Sequence, residues 1–148
     1  MFKHILIATD GSELAGKAVA HGLAFAKTLN AEVTAVTVTE PWDALAMAEL
    51  ARRQMTNPVA DYDERMAAAA NRILCSVSET ANKQGVACST RHVKDRHPAE
   101  GIIDTAQAEG CDLIVMASHG RSGLARVLLG SQASKVITLS PVPVLVCR

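Results

Sequence analysis

Two short β-rich runs, each followed by a polar turn that contains glycine, constrain the fold of this chain more than any other feature. The first run covers residues 3–8 and leads into residues 9–12, Thr-Asp-Gly-Ser. The second covers residues 113–117 and leads into residues 118–123, Ser-His-Gly-Arg-Ser-Gly. Near-continuous apolarity, without alternating polar side chains, is typical of strands buried on both faces of a parallel sheet. The sequence therefore predicts a parallel sheet covered by helices on both faces.

Helical patterns fill the segments between such strands. The first helix is predicted to begin after Ser12, which is a suitable N-cap, and to end at Asn30. A later helix is predicted to begin with Asp61 at the N-cap and Glu64 at the third helical position, the arrangement of a capping box. Gly85 is predicted to end that helix, because glycine readily takes the left-handed conformation of a C-terminal cap.

The remaining elements complete an alternation of strands and helices within one domain, residues 1–148. Further strands are predicted at residues 31–39, 86–93 and 142–147, and further helices at residues 98–110 and 131–139. This alternation requires right-handed crossovers, so we expect a three-layer α/β/α fold with an open, mostly parallel sheet. Pro143 cannot donate a hydrogen bond to a neighbouring strand, so the last strand should lie at an edge or begin with Pro143.

Residues 40–60 fit this alternation least and are interpreted as an insertion. Pro41 and Pro58 bracket a short predicted helix at residues 43–54. The apolar side chains of this region include Trp42, Met47, Leu50 and Met55. The insertion could be a lid or a surface for a partner, or it could be a connection whose apolar side chains pack on the body of the domain.

Charge and composition argue against several classes of protein. Fifteen Lys and Arg balance fifteen Asp and Glu, whereas nucleic acids and anionic membranes select a basic surface. The apolar run at the N-terminus is too short for a signal peptide, and no later run approaches the ~18 residues of a membrane span. Cys75, Cys88, Cys111 and Cys147 form no C-x-x-C pair and are interpreted as small apolar residues in a reducing compartment. We therefore predict a cytoplasmic protein with no nucleic acid or membrane partner.

A strand that opens into a glycine-bearing loop and then a helix is an arrangement that binds phosphate. Glycine lets the chain turn sharply and expose backbone N–H groups, and the helix N-terminus adds a partial positive charge. In open α/β sheets, ligands lie beyond the carboxyl ends of the strands, where the strand order reverses. If the first and fourth strands are neighbours there, Asp10 and the loop at residues 118–123 face one cleft. The sequence thus predicts a nucleotide site.

Three segments together resemble the universal stress protein family over essentially the whole chain: ILIATDGS, MASHGRSGLARVLLGS and SKVITLSPVPVLVCR. The ATP-binding branch of the family carries G-x2-G-x9-G-[ST]. Gly120, Gly130 and Ser131 match this spacing, and Ala117 stands where the first glycine would be. Alanine disfavours positive φ and adds one methyl group. If the position needs only closeness, ATP fits; if it needs the left-handed conformation, affinity falls.

The resemblance implies a fold, a ligand and a partner. The fold would be a five-stranded parallel sheet of order 3-2-1-4-5, Rossmann-like and of the adenine nucleotide alpha hydrolase type. The ligand would be ATP, with Mg²⁺ or Mn²⁺ bound through its phosphates. The partner would be a second copy, in a homodimer formed through the last strand, Val142 to Cys147. The resemblance assigns these residues to the nucleotide: Ala8, Thr9, Asp10, Val38, Met116, Ala117, His119, Gly120, Arg121, Gly130, Ser131 and Gln132.

The roles implied for these residues follow the parts of the nucleotide. Asp10 would contact the ribose or adenine, and Val38 would contact the base. The ribose and phosphates would be surrounded by Met116, Ala117, His119, Gly120 and Arg121. Residues 130–132 would bind the phosphates through backbone N–H groups, together with the Ser131 hydroxyl at the helix start.

Each of these residue types also has a structural role that the sequence leaves open. Asp10 could cap the turn before the first helix, and Ser131 could be the N-cap of the last helix. Arg121 is the cation favoured for phosphate contact, whereas Arg126 and Lys135 could be surface charges. His119 is interpreted as a structural or ligand-contacting residue, because the sequence identifies no acid that would orient its ring for catalysis.

Three classes of function follow, in order of preference. The first is an ATP-binding protein that acts in the stress response as a nucleotide-dependent regulator or sensor. The second is a slow ATPase; the chain has no G-x4-G-K-[ST] motif and no evident pair of carboxylates for metal-assisted hydrolysis, so turnover should be slow. The third is a dimeric, stress-related scaffold that does not bind nucleotide. Neither a catalytic residue nor a protein metal ligand is assigned.

Overall fold

Strands and helices alternate along the chain in the computed structural model, which describes residues 1–53, 57–121 and 129–148. The strands are β1 (His4–Ala8), β2 (Glu32–Thr39), β3 (Cys88–Lys94), β4 (Leu113–Ala117) and β5 (Val144–Cys147). The helices are α1 (Glu13–Leu29), α2 (Ala44–Arg52), α3 (Pro58–Gln84), α4 (Pro98–Ala108) and α5 (Ser131–Leu139). The predicted order of elements is confirmed.

The five strands form one parallel sheet in the order β3-β2-β1-β4-β5. Ile7 pairs with Ala35 of β2 on one side and with Val115 of β4 on the other, so β1 and β4 are neighbours. The strand order expected from the family resemblance is therefore confirmed. β5 lies at an edge, so the first of the two positions predicted for this strand is confirmed. Pro143 immediately precedes β5, and its carbonyl accepts a hydrogen bond from the N–H of Ile114 (3.0 Å).

Helices cover the two faces of the sheet, as the apolar runs predict. Alternate residues of β1 point to opposite faces: Ile7 packs with α1 and α3, whereas Leu6 packs with α4 and α5. Residues 5–8 are each 7% exposed or less. Burial of both faces explains why these strands are continuously apolar.

Side-chain hydrogen bonds tie the amino ends of β1 and β4 together. Asp112, just before β4, accepts hydrogen bonds from the backbone N–H groups of Lys3 (2.8 Å) and His4 (3.1 Å). Its own N–H donates to the carbonyl of His4 (2.9 Å). This carboxylate therefore fixes the start of the central strand against its neighbour.

The predicted ends of α1 are confirmed. Ser12 is the N-cap, and its hydroxyl accepts a hydrogen bond from the N–H of Ala15 (3.2 Å). Asn30 ends the helix in the left-handed conformation, with φ 54°. Polar residues that bond their own backbone favour these end positions over helix interiors.

The predicted start of α3 is wrong by about one turn. The helix begins at Pro58, and its N-cap is Asn57, whose side-chain oxygen accepts a hydrogen bond from the N–H of Ala60 (3.2 Å). Proline suits the first helical position, so the chain offers a cap signal ahead of the one at Asp61. The predicted end at Gly85 is confirmed, with φ 74°.

The predicted insertion contains α2 and the first turn of α3. The helix predicted at residues 43–54 is present as α2, with Asp43 as N-cap, and residues 54–56 lie outside the described part of the chain. Met47 is buried, whereas the side chains of Trp42 and Leu45 are 40% and 82% exposed. The helix thus covers part of α3 and leaves an apolar surface of its own.

All four cysteines are free thiols. Cys111 and Cys147 are buried, as expected for small apolar residues, whereas Cys75 is exposed. Burial, together with the nearby charges of Glu109 and Asp112, raises the pKa of Cys111 to about 11, so this thiol is protonated at neutral pH. In the described part of the chain, no helix has both the length and the hydropathy needed to cross a membrane.

Candidate functional site

The candidate site lies where β1 and β4 end side by side. The β1–α1 loop (residues 9–12) and the start of the β4–α5 loop (residues 118–121) leave the sheet at the same edge. Because α1 covers one face and α5 the other, the two loops lead to opposite faces of the sheet, which is where open α/β folds form a ligand cleft. We call the region between the two loops the cleft. The prediction that Asp10 and the glycine-bearing loop face one cleft requires β1 and β4 to be neighbours in the sheet. They are neighbours.

Asp10 links the two loops through both of its carboxylate oxygens. Oδ1 accepts a hydrogen bond from the N–H of Ser12 (2.9 Å), and Oδ2 accepts one from the N–H of Arg121 (2.9 Å). We call this pair of contacts the Asp10 bridge. Burial by itself raises the pKa of Asp10, but the hydrogen bonds to Ser12 and Arg121 and the charge of Arg121 outweigh it and hold the pKa below its ordinary value of 3.8. The carboxylate is therefore ionised at neutral pH.

The motif glycines Gly120 and Gly130 are sites of close approach rather than of unusual backbone conformation. A Cβ on Gly120 would lie 2.7 Å from Oδ2 of Asp10, and one on Gly130 would lie 3.0 Å from the carbonyl oxygen of Ser118. The N–H of Gly130 also donates to that carbonyl (2.7 Å). Gly130 has φ −70°, and Gly120 is not among the described glycines with positive φ. In this region, the described glycine with positive φ is Gly11.

Ala117, which replaces the first motif glycine, is the last residue of β4 and pairs with Cys147 of β5. Positive φ among described residues other than glycine occurs only at Asn30 and Asp95, so Ala117 does not need the left-handed conformation. Its side chain is 8% exposed and belongs to the core that packs with α1 and α3. The backbone conformation therefore accepts alanine here.

Three of the predicted contacts form an apolar wall on the opposite face. Ala8 and Met116 are each 7% exposed and belong to the core under α4 and α5, and Val38 packs against that core. The side chain of Val38 also abuts α4, because a Cβ on Gly101 would lie 2.9 Å from its methyl groups. The sheet thus brings residues from β1, β2 and β4 together on one side of the cleft.

Thr9 has a role within the protein. Its N–H donates to the carbonyl of Val36 (3.0 Å), and its carbonyl accepts a hydrogen bond from the Thr37 hydroxyl (2.6 Å). Its hydroxyl accepts a hydrogen bond from the N–H of Gly11 (3.2 Å). The sequence analysis does not single out Thr37 or Gly101. Thr37 could have been noticed as a threonine inside a buried strand, next to Val38.

The N-terminus of α5 supplies backbone donors at the cleft. Gly130 is the N-cap, which corrects the alternative that Ser131 occupies this position, and the N–H of Ser134 is the first to bond within the helix. The preceding helical N–H groups, those of residues 131–133, have no partner within the helix and carry its partial positive charge. The Ser131 side chain is exposed beside them.

Gln132 joins α5 to α4. Its side-chain oxygen accepts a hydrogen bond from the N–H of Ala99 (3.1 Å) at the start of α4. His97, the N-cap of α4, makes no capping hydrogen bond with its side chain, so Gln132 supplies this cap from another helix. Its backbone N–H remains among the donors at the start of α5.

The polar residues of the β4–α5 loop lie in different surroundings. Ser118 is 2% exposed, and its hydroxyl lies 3.2 Å from Nδ1 of His119, while its N–H donates to the carbonyl of Cys147 (2.8 Å). The Arg121 guanidinium lies towards α3, because a Cβ on Gly11 would be 3.1 Å from its Nη2 and 2.8 Å from Ile73. Gly123 and Arg126 lie outside the described residues.

A separate groove of about 420 Å³ runs between α1 and α3 on the face opposite the apolar wall. It begins at Thr9 and Gly11 and is bordered by Arg72 and Ile73 of α3. No group of three or more His, Cys, Asp or Glu side chains within residues 1–53, 57–121 and 129–148 could hold a metal ion.

Comparison with known proteins identifies the family. The sequence model of the universal stress protein family matches residues 1–148. Universal stress protein MJ0531 of Methanocaldococcus jannaschii is 32% identical over 148 residues, which cover all of this chain and 83% of that protein. Universal stress protein MJ0577 of the same organism is 33% identical over 161 residues, covering all of this chain and 96% of its own.

Solved structures agree with this match. The structure of MJ0577 superposes with a TM-score of 0.80 over 99% of this chain and 96% of its own, at 32% identity. Two further structures share the fold. One is a universal stress protein in complex with cAMP, with a TM-score of 0.70 at 24% identity over 99% of this chain and 97% of its own. The other is a universal stress protein from Archaeoglobus fulgidus in complex with dAMP, with a TM-score of 0.61 at 17% identity over 100% of this chain and 98% of its own. The chain belongs to the universal stress protein family.

Proposed function

We propose that this chain binds an adenine nucleotide, ATP in the first place, in the cleft between the β1–α1 and β4–α5 loops. The binding would make it a nucleotide-dependent regulator or sensor in the stress response, with a cytoplasmic location. The observation that carries the proposal is that the donors at the start of α5, the Asp10 carboxylate and the apolar wall all lie around the carboxyl ends of β1, β2 and β4. A nucleotide needs these three environments together, for its phosphates, ribose and base.

Each part of the nucleotide has residues that suit it. The wall formed by Ala8, Val38 and Met116 suits the face of an adenine ring. Asp10 is ionised and can accept hydrogen bonds from ribose hydroxyls. The N–H groups at residues 131–133 and the Ser131 hydroxyl suit the phosphates.

The remaining predicted contacts fit around this arrangement. His119, Gly120 and Arg121 lie on the loop between the ribose and phosphate ends, where backbone groups can approach a ligand closely. Mg²⁺ or Mn²⁺ would be held by the phosphates and would offset their charge. The cAMP and dAMP bound by two universal stress proteins of the same fold support an adenine nucleotide as the ligand class.

Ala117 is compatible with this proposal. Its backbone is that of a strand, and its methyl group packs on the side of α1 and α3, away from the apolar wall. The added methyl therefore leaves the wall side of the cleft open. We expect the ATP-binding form of the family to tolerate this replacement.

Thermal unfolding in the presence of ATP and Mg²⁺ tests the proposal. A ligand that binds only the folded protein at 100 times its Kd adds about 2.7 kcal/mol, which raises Tm by roughly 5–10 °C for a chain of this size. No shift at millimolar ATP would contradict nucleotide binding and favour the scaffold. GTP at the same concentration tests the preference for adenine.

A pair of glycine variants locates the site. Gly130→Val should remove the shift, because the added side chain meets the Ser118 carbonyl at the start of α5. Gly16→Val is the matched control: Gly16 lies on the exposed side of α1, and a Cβ there meets nothing in the described structure within 4 Å. An unchanged shift in Gly130→Val would place the nucleotide elsewhere.

The homodimer is a second proposal, carried by the edge strand. Among the described residues, β5 pairs with β4 alone, and Leu145 on it is 40% exposed. Ile137 and Leu139 of the adjacent α5 are 45% and 63% exposed. An unpaired apolar edge favours pairing with a second copy. Leu145→Lys should convert a dimer to monomer in sedimentation, and a dimer that persists would exclude this edge.

A further inference from the structure

We propose that Asp10 is a positioning residue: its carboxylate holds the Gly120–Arg121 segment against the β1–α1 loop, and Gly120 lacks a side chain so that this carboxylate has room. The effect of this role on nucleotide affinity rests on the proposed function. The bridge itself forms within the protein alone. Asp10 therefore acts on the ligand through the loop as well as by contact.

The geometry of the bridge supports this role. Each oxygen of Asp10 accepts one backbone N–H, and the two donors come from Ser12, next to it, and Arg121, which is 111 residues away. Within the described part of the two loops no strand pairing joins them, because the last paired residues of β1 and β4 are Ile7 and Val115. Beyond the last paired residues, the Asp10 side chain therefore holds together the two loops that follow β1 and β4.

The bridge does not exclude a ligand from Asp10. An ionised carboxylate has about four lone-pair sites, and the bridge occupies two of them. A ribose hydroxyl can therefore bind without displacing Arg121. Asp10 can position the loop and contact the nucleotide at the same time.

Gly120 gives independent support. Apart from its neighbours in the chain, the described atoms within 4 Å of a Cβ at Gly120 are those of Asp10, with Oδ2 at 2.7 Å and Cγ at 3.7 Å. Its φ lies outside the left-handed region, so the backbone would accept alanine. An alanine methyl group at position 120 would clash with the Asp10 carboxylate. The second glycine of the motif is thus explained by the bridge.

The bridge should raise affinity by ordering the loop before binding. Loop residues that become ordered only on binding lose conformational entropy at that step, and affinity falls accordingly. A β4–α5 loop already held to Asp10 by the charge-assisted hydrogen bond of the Arg121 N–H avoids part of that loss. Variants that break the bridge should therefore weaken binding even when Asp10 is still present.

Amide hydrogen exchange without nucleotide tests the bridge directly. In Asp10→Ala, the amides of residues 12 and 121 should both exchange about tenfold faster or more, since each loses a charged acceptor. In Gly120→Ala, only the amide of residue 121 should exchange faster. Arg121→Ala is the matched control: it keeps the backbone donor, so protection at residue 121 should persist.

Two outcomes of this experiment would overturn the bridge. One is unchanged exchange at residue 121 in both Asp10→Ala and Gly120→Ala. The other is equal acceleration of residue 121 in Arg121→Ala, which would show that the side chain rather than the backbone makes the contact. If Asp10→Ala does not fold, Asp10→Asn replaces it, because its amide oxygen can accept only one of the two donors in the same geometry.

A cycle of ATP affinities tests the consequence for binding. Gly120→Ala should raise Kd about tenfold in the wild-type background and leave it within twofold in the Asp10→Ala background, because the obstructing carboxylate is absent there. An equal loss in both backgrounds would show that Gly120 matters for the ligand and not for Asp10. If no variant and no wild type binds ATP, the proposed function fails, whereas the exchange experiment still decides the bridge.

Discussion

Two aspartates join the same pair of strands at opposite ends, and their surroundings differ. At the amino end, Asp112 accepts hydrogen bonds from Lys3 and His4, where β1 and β4 are already paired. At the carboxyl end, Asp10 accepts hydrogen bonds from Ser12 and Arg121, where the strands have separated into loops. The chemistry is the same, a carboxylate with two backbone donors.

The difference shows how one interaction serves two purposes. Asp112 reinforces a connection that the backbone also makes, because its own N–H bonds the carbonyl of His4. Asp10 replaces such a connection and leaves a cleft beside it. We therefore expect the amino end to contribute mainly to stability, and the carboxyl end mainly to binding.

Asp112→Ala should give the largest loss of stability. Two backbone donors at the start of the central strand lose a charged acceptor, so the free energy of unfolding should fall by roughly 2 kcal/mol, measured by urea denaturation. The ATP Kd should stay within about twofold, because the change lies at the opposite end of the sheet. A tenfold change in Kd would contradict the proposal that the amino end of β1 and β4 contributes mainly to stability and the carboxyl end mainly to binding.

Asp10→Ala should lower the free energy of unfolding by less, about 1 kcal/mol. The freed N–H groups of Ser12 and Arg121 belong to loops and can bond water instead. The ATP Kd should rise at least about tenfold, because both the bridge and the direct contact are lost. Calorimetric titration checks the affinity. A loss of stability larger than that of Asp112→Ala would contradict the comparison.

Thr37→Val should have a smaller and local effect. The valine keeps the shape of the side chain and removes the hydrogen bond to the Thr9 carbonyl, so stability should fall by about 0.5–1 kcal/mol in urea denaturation. Thr39→Val is the matched control further along β2, where the hydroxyl lies 2.7 Å from His92. Equal losses in the two variants would show that the Thr9 contact has no special weight.

Acid dependence gives the smallest and most specific effect. The folded pKa of Asp10 lies below its ordinary value of 3.8, so the ionised bridge adds stability that is fully present above that pH and is lost as pH falls through the folded pKa. The difference in unfolding free energy between wild type and Asp10→Ala should be constant from about pH 5 to 8 and shrink below about pH 4. A difference that does not shrink would mean that this carboxylate is not the titrating group.

Most of the fold follows from local patterns, because the forces that form it act over short stretches. Continuous apolarity in β1 and β4 indicates burial on both faces. Ser12 caps the start of α1 with its side chain, and Asn30 and Gly85 end α1 and α3 with their backbone N–H groups. The start of α3 is the exception. Two cap signals lie within one turn of each other there, and a local pattern does not rank them.

The site is predictable only in part, because its key contacts are not local. Family resemblance locates the motif, but the bond from Arg121 to Asp10 spans 111 residues and leaves no periodic signal. For the same reason the sequence gives Gly120 the role of a turn or phosphate-loop residue, whereas the structure shows its contact with Asp10. The conformation of Ala117 likewise depends on its pairing with β5.

The cap that Gln132 gives to α4 has a consequence for how the cleft could report its state. The same residue takes part in two helix starts: its backbone N–H faces the cleft from α5, and its side chain holds Ala99. A molecule that turned this side chain away would uncap α4, the helix that follows edge strand β3. Fraying of α4 would then register occupancy on the helix beside α5, on the face that the two helices share, without any movement of the sheet itself.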